Sequence, residues 1–289
     1  MIQNGIKPKR SFIDPFYKPE YKGSYYLSVQ LGRDALYVAV LDLKNNTYLA
    51  LEEYIFEGLQ NVFQLKSEFE RCVKSSSLLQ AQFEKVNIGI INEYNSVVPD
   101  AFYDEEKRED YFEIIQGKQE GYLISDQKLI NLNARNIFAI PQILKEAIIV
   151  SFPNASINHA FTSLIDGLAL KYKQIEGDNI VLHIQYSHFE FLYFKDGLLQ
   201  YFNSFNYTTA EDFIYYTLFV FEQLGINTEK IDVEILGEID QDSSIHNLLF
   251  KYVRNVSFGG RPKVLNYSTA LDPFSRNYYY NLFQQFLCV

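Results

Sequence analysis

Histidine is the side chain in this sequence best suited to bind a metal ion or to transfer a proton near neutral pH. His183 and His188 lie five residues apart across a predicted hairpin, while His159 and His246 stand alone. The spacings typical of metal sites, such as HExxH or His-x-His, do not occur. The GxSxG, GxxxxGK[ST] and GxGxxG motifs are also absent. The motifs therefore indicate neither a metal site nor a catalytic residue.

Two acidic segments could in principle bind a cation. Residues 240–242 read Asp-Gln-Asp, but they lack the glycine and the terminal glutamate of a calcium loop, so we interpret them as helix-capping residues. After Pro99 the segment DAFYDEEKREDYFEIIQ mixes acids with Lys107 and Arg108 at helical spacings. This pattern predicts a solvated helix face with ion pairs between successive turns.

Composition limits the class of protein. The chain has 289 residues, a formal net charge of −10 and 47% hydrophobic residues. Because phosphate backbones are bound by clustered Lys and Arg, we expect no nucleic-acid partner. No segment has the length and apolarity of a membrane span. Cys72 and Cys288 form no CxxC pair, so the sequence predicts buried thiols in a soluble, cytoplasmic protein.

Tyr and Phe are abundant, with 23 and 24 copies, and Trp is absent. An aromatic-rich binding surface would produce this composition. Drift in an AT-rich genome would produce it as well, and composition alone does not separate the two.

The elements that would position these residues follow a pattern that occurs twice. Residues 24–56 predict three consecutive strands, followed by an amphipathic helix over about 58–76. Residues 179–206 predict three more strands, followed by a helix from Thr208 or Thr209. A unit that occurs twice in one chain predicts two similar lobes, with the strands around 25–31 and 180–186 in corresponding positions.

The lobe boundary is expected at residues 175–178, which are polar and contain a glycine. The predicted domains are an extended N-terminal arm, 1–22, a first lobe, 23–175, and a second lobe, 176–289. The helix that begins near Thr208 is apolar nearly all round and is expected to be buried. Residues 275–287 predict a closing helix. The residues expected in the core are Val38, Val40, Ile180, Leu182, Ile184, Phe213, Leu218 and Val220.

The duplicated strand–strand–strand–helix unit resembles the actin-like ATPase fold, which actin, sugar kinases and Hsp70 share. The segments SYYLSVQLGRDALYVAVLD, VVPDAFY and INHAFTSLI, with the C-terminal LC, are similar to an uncharacterised bacterial family, a domain of unknown function assigned that fold. The resemblance covers residues 23–289. It implies an α/β protein with two ribonuclease H-like lobes, each a mixed sheet flanked by helices, and it implies no specific activity.

The resemblance also implies candidate positions in a cleft between the lobes. The superfamily's first hairpin reads Asp-x-Gly-Thr/Ser, and here it is Gln30-Leu31-Gly32-Arg33. Gln30 cannot supply the negative charge that favours Mg²⁺, whereas Arg33 could contact an anion or simply face solvent.

The second hairpin usually carries a carboxylate and several glycines that let phosphate approach the backbone. Here it runs from His183 to His188, with Gln185, Tyr186 and Ser187 in the turn. The third element, a strand followed by two glycines at the adenosine, retains only Gly237. These departures predict that ATP hydrolysis is lost.

Two functions remain at this level. The first is a degenerate, non-hydrolysing scaffold or protein-binding module, with no cofactor, no metal ligands and another protein as partner. Tyr186 and Phe189 are then aromatic anchors. The alternative is an ATP-binding protein or phosphotransferase that binds ATP with Mg²⁺ at an atypical site of Gln30, Arg33, His183, Gln185 and Ser187.

Overall fold

The computed structural model of the protein describes residues 6–21 and 24–288. These residues form strands, helices and short 3₁₀ turns in a mixed α/β arrangement. In chain order the elements are β1 (Arg10–Ile13), β2 (Tyr25–Leu31), β3 (Ala35–Asp42), β4 (Thr47–Ile55), α1 (Val62–Ser75), β5 (Lys85–Ile90), β6 (Asn95–Pro99), α2 (Arg108–Gln116), β7 (Tyr122–Leu129), β8 (Ala134–Pro141), α3 (Gln142–Ser151), β9 (Ser156–His159), α4 (Ala160–Tyr172), β10 (Asp178–Ile184), β11 (His188–Lys195), β12 (Leu198–Asn206), α5 (Ala210–Gln223), β13 (Asp232–Gly237), α6 (Ser244–Tyr252), β14 (Asn255–Phe258), β15 (Asn266–Tyr267) and α7 (Tyr280–Gln284).

The chain divides into two compact units. Unit 1 consists of residues 1–166, 264–273 and 282–289, and unit 2 of residues 167–263 and 274–281. The division falls inside α4, ahead of the boundary expected at 175–178, and the C-terminal segment contributes to both units. A sequence pattern cannot reveal this return, because it depends on contacts between residues far apart in the chain.

The main sheet of unit 1 has the strand order β1-β4-β3-β2-β5-β9, and β15 also pairs with β4. Strands β2 to β4 form an antiparallel meander, whereas β5 and β9 run parallel to β2. Apolar residues of β2 and β3 pack with α1 and α3 in one buried cluster. A separate three-stranded sheet, in the order β6-β8-β7, packs with α2.

The sheet of unit 2 has the order β12-β11-β10-β13-β14. It repeats the plan of unit 1, with an antiparallel meander followed by two strands parallel to its first strand. β10 therefore occupies the position that β2 holds in unit 1, and the two strands lie in different sheets, as the repeated pattern predicts. Helices α5 and α6 pack with the apolar side chains of this sheet.

Two helix starts follow from local capping. Thr209 accepts a hydrogen bond from the Asp212 N–H, and the Asp212 carboxylate accepts from the Thr209 N–H, which makes a capping box at the start of α5. Ser243 Oγ accepts the His246 N–H at the start of α6 (3.2 Å). The start of α5 agrees with the sequence prediction, whereas the cap of α6 is Ser243 and not Asp240 or Asp242, which the sequence pattern predicts as capping residues.

The N-terminal arm, which the sequence predicts to be extended, contains a strand: β1 pairs with β4, and Tyr17 is buried with its ring 5.1 Å from that of Tyr25. Residues 1–5 and 22 of the predicted arm lie outside the described residues. The segment after Pro99 does not form the one continuous helix that its pattern predicts: it forms 3₁₀ turns over Asp100–Phe102 and Glu105–Lys107 and becomes α-helical only at Arg108. Asp104 Oδ1 accepts the Glu106 N–H and caps the second of these turns.

The predicted closing helix is also interrupted. Tyr279 adopts a φ of 58°, a left-handed conformation that a right-handed helix cannot contain. The helix is therefore limited to α7, and a 3₁₀ turn follows over Gln285–Cys288.

Seven of the eight expected core residues are buried. Leu218 of α5 is only partly buried, and Tyr215 and Phe219 of the same helix are 63% and 46% exposed. Helix α5 is therefore not buried all round: one side packs on the sheet and α6, and the other carries exposed aromatic rings.

Candidate functional site

The first candidate position is the turn after β2. Gln30 lies between Tyr37 of β3 and Gly89 of β5, and its side chain is almost fully buried. Its Nε2 makes no hydrogen bond to any of the described residues. A buried amide N–H of this kind can still donate to a water or to a ligand oxygen. It supplies no negative charge for a cation.

Gly32 and Arg33 complete this turn. The Gly32 N–H donates to Ala35 O (2.9 Å), and a Cβ on Gly32 would lie 3.1 Å from Ile91 Cβ. The exposed Arg33 donates from Nε to Leu59 O (2.8 Å), in the loop that leads to α1. Arg33 thus braces that loop, and its contact with an anion stays a prediction.

The second candidate position lies in unit 2 and contains a buried polar cluster. His183 Nδ1 lies 2.5 Å from Glu190 Oε2, and both side chains are almost inaccessible to solvent. Ser204 Oγ donates to Glu190 Oε1 (3.2 Å), and His188 Nε2 lies 3.4 Å from the same oxygen. A buried carboxylate needs such partners because it has lost its hydration. His183 is therefore occupied by Glu190, on the neighbouring strand.

The backbone of this turn is also used internally. The Gln185 N–H donates to His188 O (2.9 Å), and the Tyr207 hydroxyl donates to Gln185 O. The Tyr207 N–H donates to Ser187 O (2.9 Å). A phosphate cradle requires several backbone N–H groups that point toward the ligand. Here the N–H of Gln185 closes the turn instead, and the Gln185 side chain is buried.

The aromatic anchors proposed from the sequence differ in exposure. Tyr186 is 37% exposed. Phe189 is fully buried, with its ring centroid 4.6 Å from that of Phe213 in α5. The prediction for Phe189 is wrong, because its side chain points to the core face of β11, where α5 covers it.

Gly237 is required by the fold. It has a φ of 91°, and a Cβ there would lie 2.0 Å from Ile184 O. Asn277 holds the same turn. Its side-chain Nδ2 donates to Gly237 O (2.8 Å) and to Ile239 O (2.9 Å), and its backbone carbonyl accepts the Gly237 N–H. The close approach of β10 to the end of β13 explains this glycine without a ligand.

In unit 1 the C-terminal segment packs on the sheet beside Gln30. Gln285 Nε2 donates to Val29 O (3.2 Å) and to Asn87 O (3.0 Å), and the ring of Phe286 lies 5.0 Å from that of Tyr26. The Gln285 side chain therefore ties β2 to β5. Sequence reasoning missed this role, because it depends on contacts that span most of the chain.

Sequence reasoning also missed Glu190 and Asn277. A signal existed for Glu190, because a single carboxylate interrupts the apolar strand HFEFLYF. Such a charge is buried only with partners, and the neighbouring histidines were the obvious ones. Asn277 has no local signal, because its bonds reach back to the turn after β13.

The two thiols and His159 are held by contacts within the protein. Burial raises the pKa of the Cys72 thiol well above its ordinary value, and burial raises the pKa of Cys288 to about 11. Both thiols are therefore protonated and weakly nucleophilic at neutral pH. His159 Nε2 lies 3.1 Å from Asn92 O. Over residues 6–21 and 24–288, no three His, Cys, Asp or Glu side chains are grouped so as to hold a metal ion.

No helix in the described part of the chain combines the length and apolarity needed to cross a membrane.

Comparison with known proteins gives the fold and the family. A solved structure from Bacteroides thetaiotaomicron VPI-5482, a protein with actin-like ATPase fold and unknown function, is 22% identical to this chain. The match covers 89% of this chain and 97% of that one, with a TM-score of 0.76. A chain of the PilM–PilN type IV pilus biogenesis complex is 10% identical, with a TM-score of 0.62 and coverage of 91% and 97%.

The curated proteins contain no match to this sequence. The two structural likenesses establish the actin-like ATPase fold that the duplicated pattern resembles, and they leave the activity open. A family model described as a protein of unknown function, DUF3822, matches residues 14–256. Because that match spans most of the chain, the protein belongs to the DUF3822 family.

Proposed function

We propose that this protein is a non-hydrolysing scaffold that uses an actin-like ATPase fold to bind another protein. The observation that carries the proposal is the turn after β10. His183 is paired with the buried Glu190, Gln185 is buried, and the Gln185 N–H is used within the turn. At this turn a nucleotide phosphate would meet the Gln185 side chain where the superfamily pattern has a glycine, and the Gln185 N–H would not be available to it.

The first hairpin supports the same function. Phosphoryl transfer depends on positioning and on neutralising charge, and Mg²⁺ supplies much of that charge. Gln30 offers an uncharged amide where a carboxylate would favour the metal, and Arg33 is tied to Leu59 O. The likeness to a chain of the PilM–PilN complex adds support, because that neighbour works within a protein assembly.

The alternative is an ATP-binding protein or phosphotransferase with an atypical site. One observation favours it: the buried Nε2 of Gln30 makes no bond to the described residues and could donate to a ligand oxygen. The other members of that site would be Arg33, His183, Gln185 and Ser187.

Isothermal titration with Mg-ATP and with Mg-ADP distinguishes the two functions. We expect no binding in the micromolar range, because Gln30 supplies no carboxylate for Mg²⁺ and the Gln185 N–H is already used within its own turn. Thermal unfolding of the same sample verifies that the protein is folded. Micromolar affinity for either nucleotide would overturn the scaffold proposal and favour the alternative.

A restored variant checks the assignment of the hairpins. Gln30→Asp, Gln185→Gly and Tyr186→Gly together return the carboxylate and two glycines of the superfamily pattern. If these residues correspond to that pattern, the triple variant binds Mg-ATP more tightly than the natural sequence. Equal, undetectable binding in a folded triple variant would mean that the positions are wrongly mapped.

A further inference from the structure

The outer edge of the sheet differs between the two units. In unit 1, β4 occupies the outer position of the meander, and β1 covers it through antiparallel pairing from Arg10 opposite Glu53 to Ile13 opposite Ala50. In unit 2 the corresponding strand is β12. Within residues 6–21 and 24–288, no strand pairs with its outer side. The outer strand of the meander is therefore paired with a further strand in unit 1, whereas none of the described strands covers it in unit 2.

The open edge has no common protection against pairing. β12 is nine residues long, LLQYFNSFN, and contains neither a charged residue nor a proline. Exposed edges are usually blunted by lysine, by proline or by short length. The Ser204 N–H donates to the Asn203 side chain (3.0 Å), an acceptor that a carbonyl of an added strand can replace. β12 is therefore suited to accept a further strand.

Helix α5 extends this edge with aromatic side chains. The Tyr216 ring stacks on Phe205 of β12 at 5.4 Å, which places α5 along the same margin of the sheet. Tyr215 and Phe219 stack on each other at 6.4 Å on the exposed side of the helix. Exposed aromatic pairs beside an uncharged strand edge are typical of the centre of a protein interface.

We propose that β12 pairs antiparallel with β12 of a second copy of this chain, so that the two five-stranded sheets become continuous. Pairing about Phe202 sets Leu199 opposite Phe205 and Gln200 opposite Ser204, and none of the facing pairs contains a charged side chain. A chain with a net charge of −10 would repel its copy at most surfaces. At β12 no charged side chain opposes the approach, and Tyr215 and Phe219 add apolar area beside the new ladder. This interface does not depend on the proposed function.

Sedimentation velocity of the full chain, over a micromolar concentration series without nucleotide, tests the proposal. We expect a monomer–dimer equilibrium. The double variant Gln200→Lys and Tyr215→Lys places a charge on the exposed edge and on α5, and should raise the dimer dissociation constant at least about tenfold. The control Phe250→Lys changes a ring that is 59% exposed on α6, and should leave the equilibrium unchanged.

Hydrogen exchange gives a second readout at the strand itself. In a dimer the amides of residues 198–206 should exchange more slowly as the protein concentration rises, whereas those of β14 should not respond. Far-UV circular dichroism confirms that each variant is folded. A chain that stays monomeric throughout the series would overturn the proposal. A dimer that the double variant leaves intact, or that the Phe250 control weakens equally, would overturn it too.

Discussion

At the scale of the residue, a side chain added at Gly237 would destabilise the protein in two ways. The first cost is a positive φ, which disfavours any residue with a Cβ. The second is contact, because a Cβ at this position would overlap Ile184 O, whereas one at Gly177 would meet nothing within 4 Å. Gly177 has a similar φ of 80°. The two glycines therefore have similar φ angles and differ in how closely other atoms approach.

We expect Gly237→Ala to lower the free energy of unfolding by about 2–5 kcal/mol, the sum of conformational strain and overpacking. Gly177→Ala should cost about 1–2 kcal/mol, since only strain applies. Urea unfolding of both variants measures the difference. Equal losses in the two variants would show that the Cβ overlap at Gly237 is relieved by local movement.

A second effect at this scale is the dependence of stability on pH, to which Asp126 contributes. Burial by itself would raise the pKa of this carboxyl, but hydrogen bonds from Arg135 (2.5 Å) and Arg108 (3.1 Å) outweigh it and lower the pKa below its ordinary value of 3.8. A lowered folded-state pKa stabilises the protein above the pKa of the unfolded chain. That stabilisation is lost as the pH falls through the folded-state pKa.

The stability of the natural sequence should therefore decline below about pH 4, and Asp126→Asn should decline less steeply over that range. Near neutral pH the variant should be less stable by about 1–3 kcal/mol, because one guanidinium group loses its acceptor and both lose the negative charge. Denaturant unfolding at several pH values measures both effects. Asp272→Asn, at an exposed carboxyl, is the control and should follow the natural sequence.

At the scale of the element, burial differs between leucines of unit 2 that look alike in sequence. Leu182 lies in the middle of β10 and is fully buried, whereas Leu218 on α5 is only partly covered. We expect Leu182→Ala to cost about 2–5 kcal/mol, and Leu218→Ala about half as much or less. Thermal and urea unfolding measure the two losses. A Leu218 variant as damaging as the Leu182 variant would show that α5 is more tightly packed than its exposure indicates.

The elements that the sequence predicts well are those with strong local signals. The two meanders depend on alternation of apolar and polar residues, and the start of α5 at Thr209 depends on capping. Predictions fail where distant contacts decide the outcome. The pairing of β1 with β4 and the exposed side of α5 are examples, and neither has a local pattern that could reveal it.

The candidate site shows the same limit. The sequence identified Gln30, His183 and Gln185, but it gave no account of what each side chain contacts. In the structure His183 pairs with Glu190 on the neighbouring strand, and the Tyr207 hydroxyl donates to Gln185 O. Side-chain pairing across strands depends on register, which becomes known only with the fold.

At the scale of the whole molecule, unit 1 is built from three segments that lie far apart in the sequence. Residues 264–273 supply β15, which pairs with β4, and residues 282–289 contain Gln285, which ties β2 to β5. The meander of unit 1 is formed from residues 25–55, near the start of the chain. Its final contacts come from residues near the end.

Ribosomes make a chain from its N-terminus, and domains generally fold as they emerge. Here the first 166 residues leave the ribosome without β15 and without Gln285, whereas all five strands of unit 2 are complete before residue 264 is made. Part of the sheet of unit 1 therefore stays uncovered until residues 264–285 have been made. During that interval the uncovered sheet can bind chaperones or aggregate, so slower synthesis of residues 264–285 would prolong this exposure.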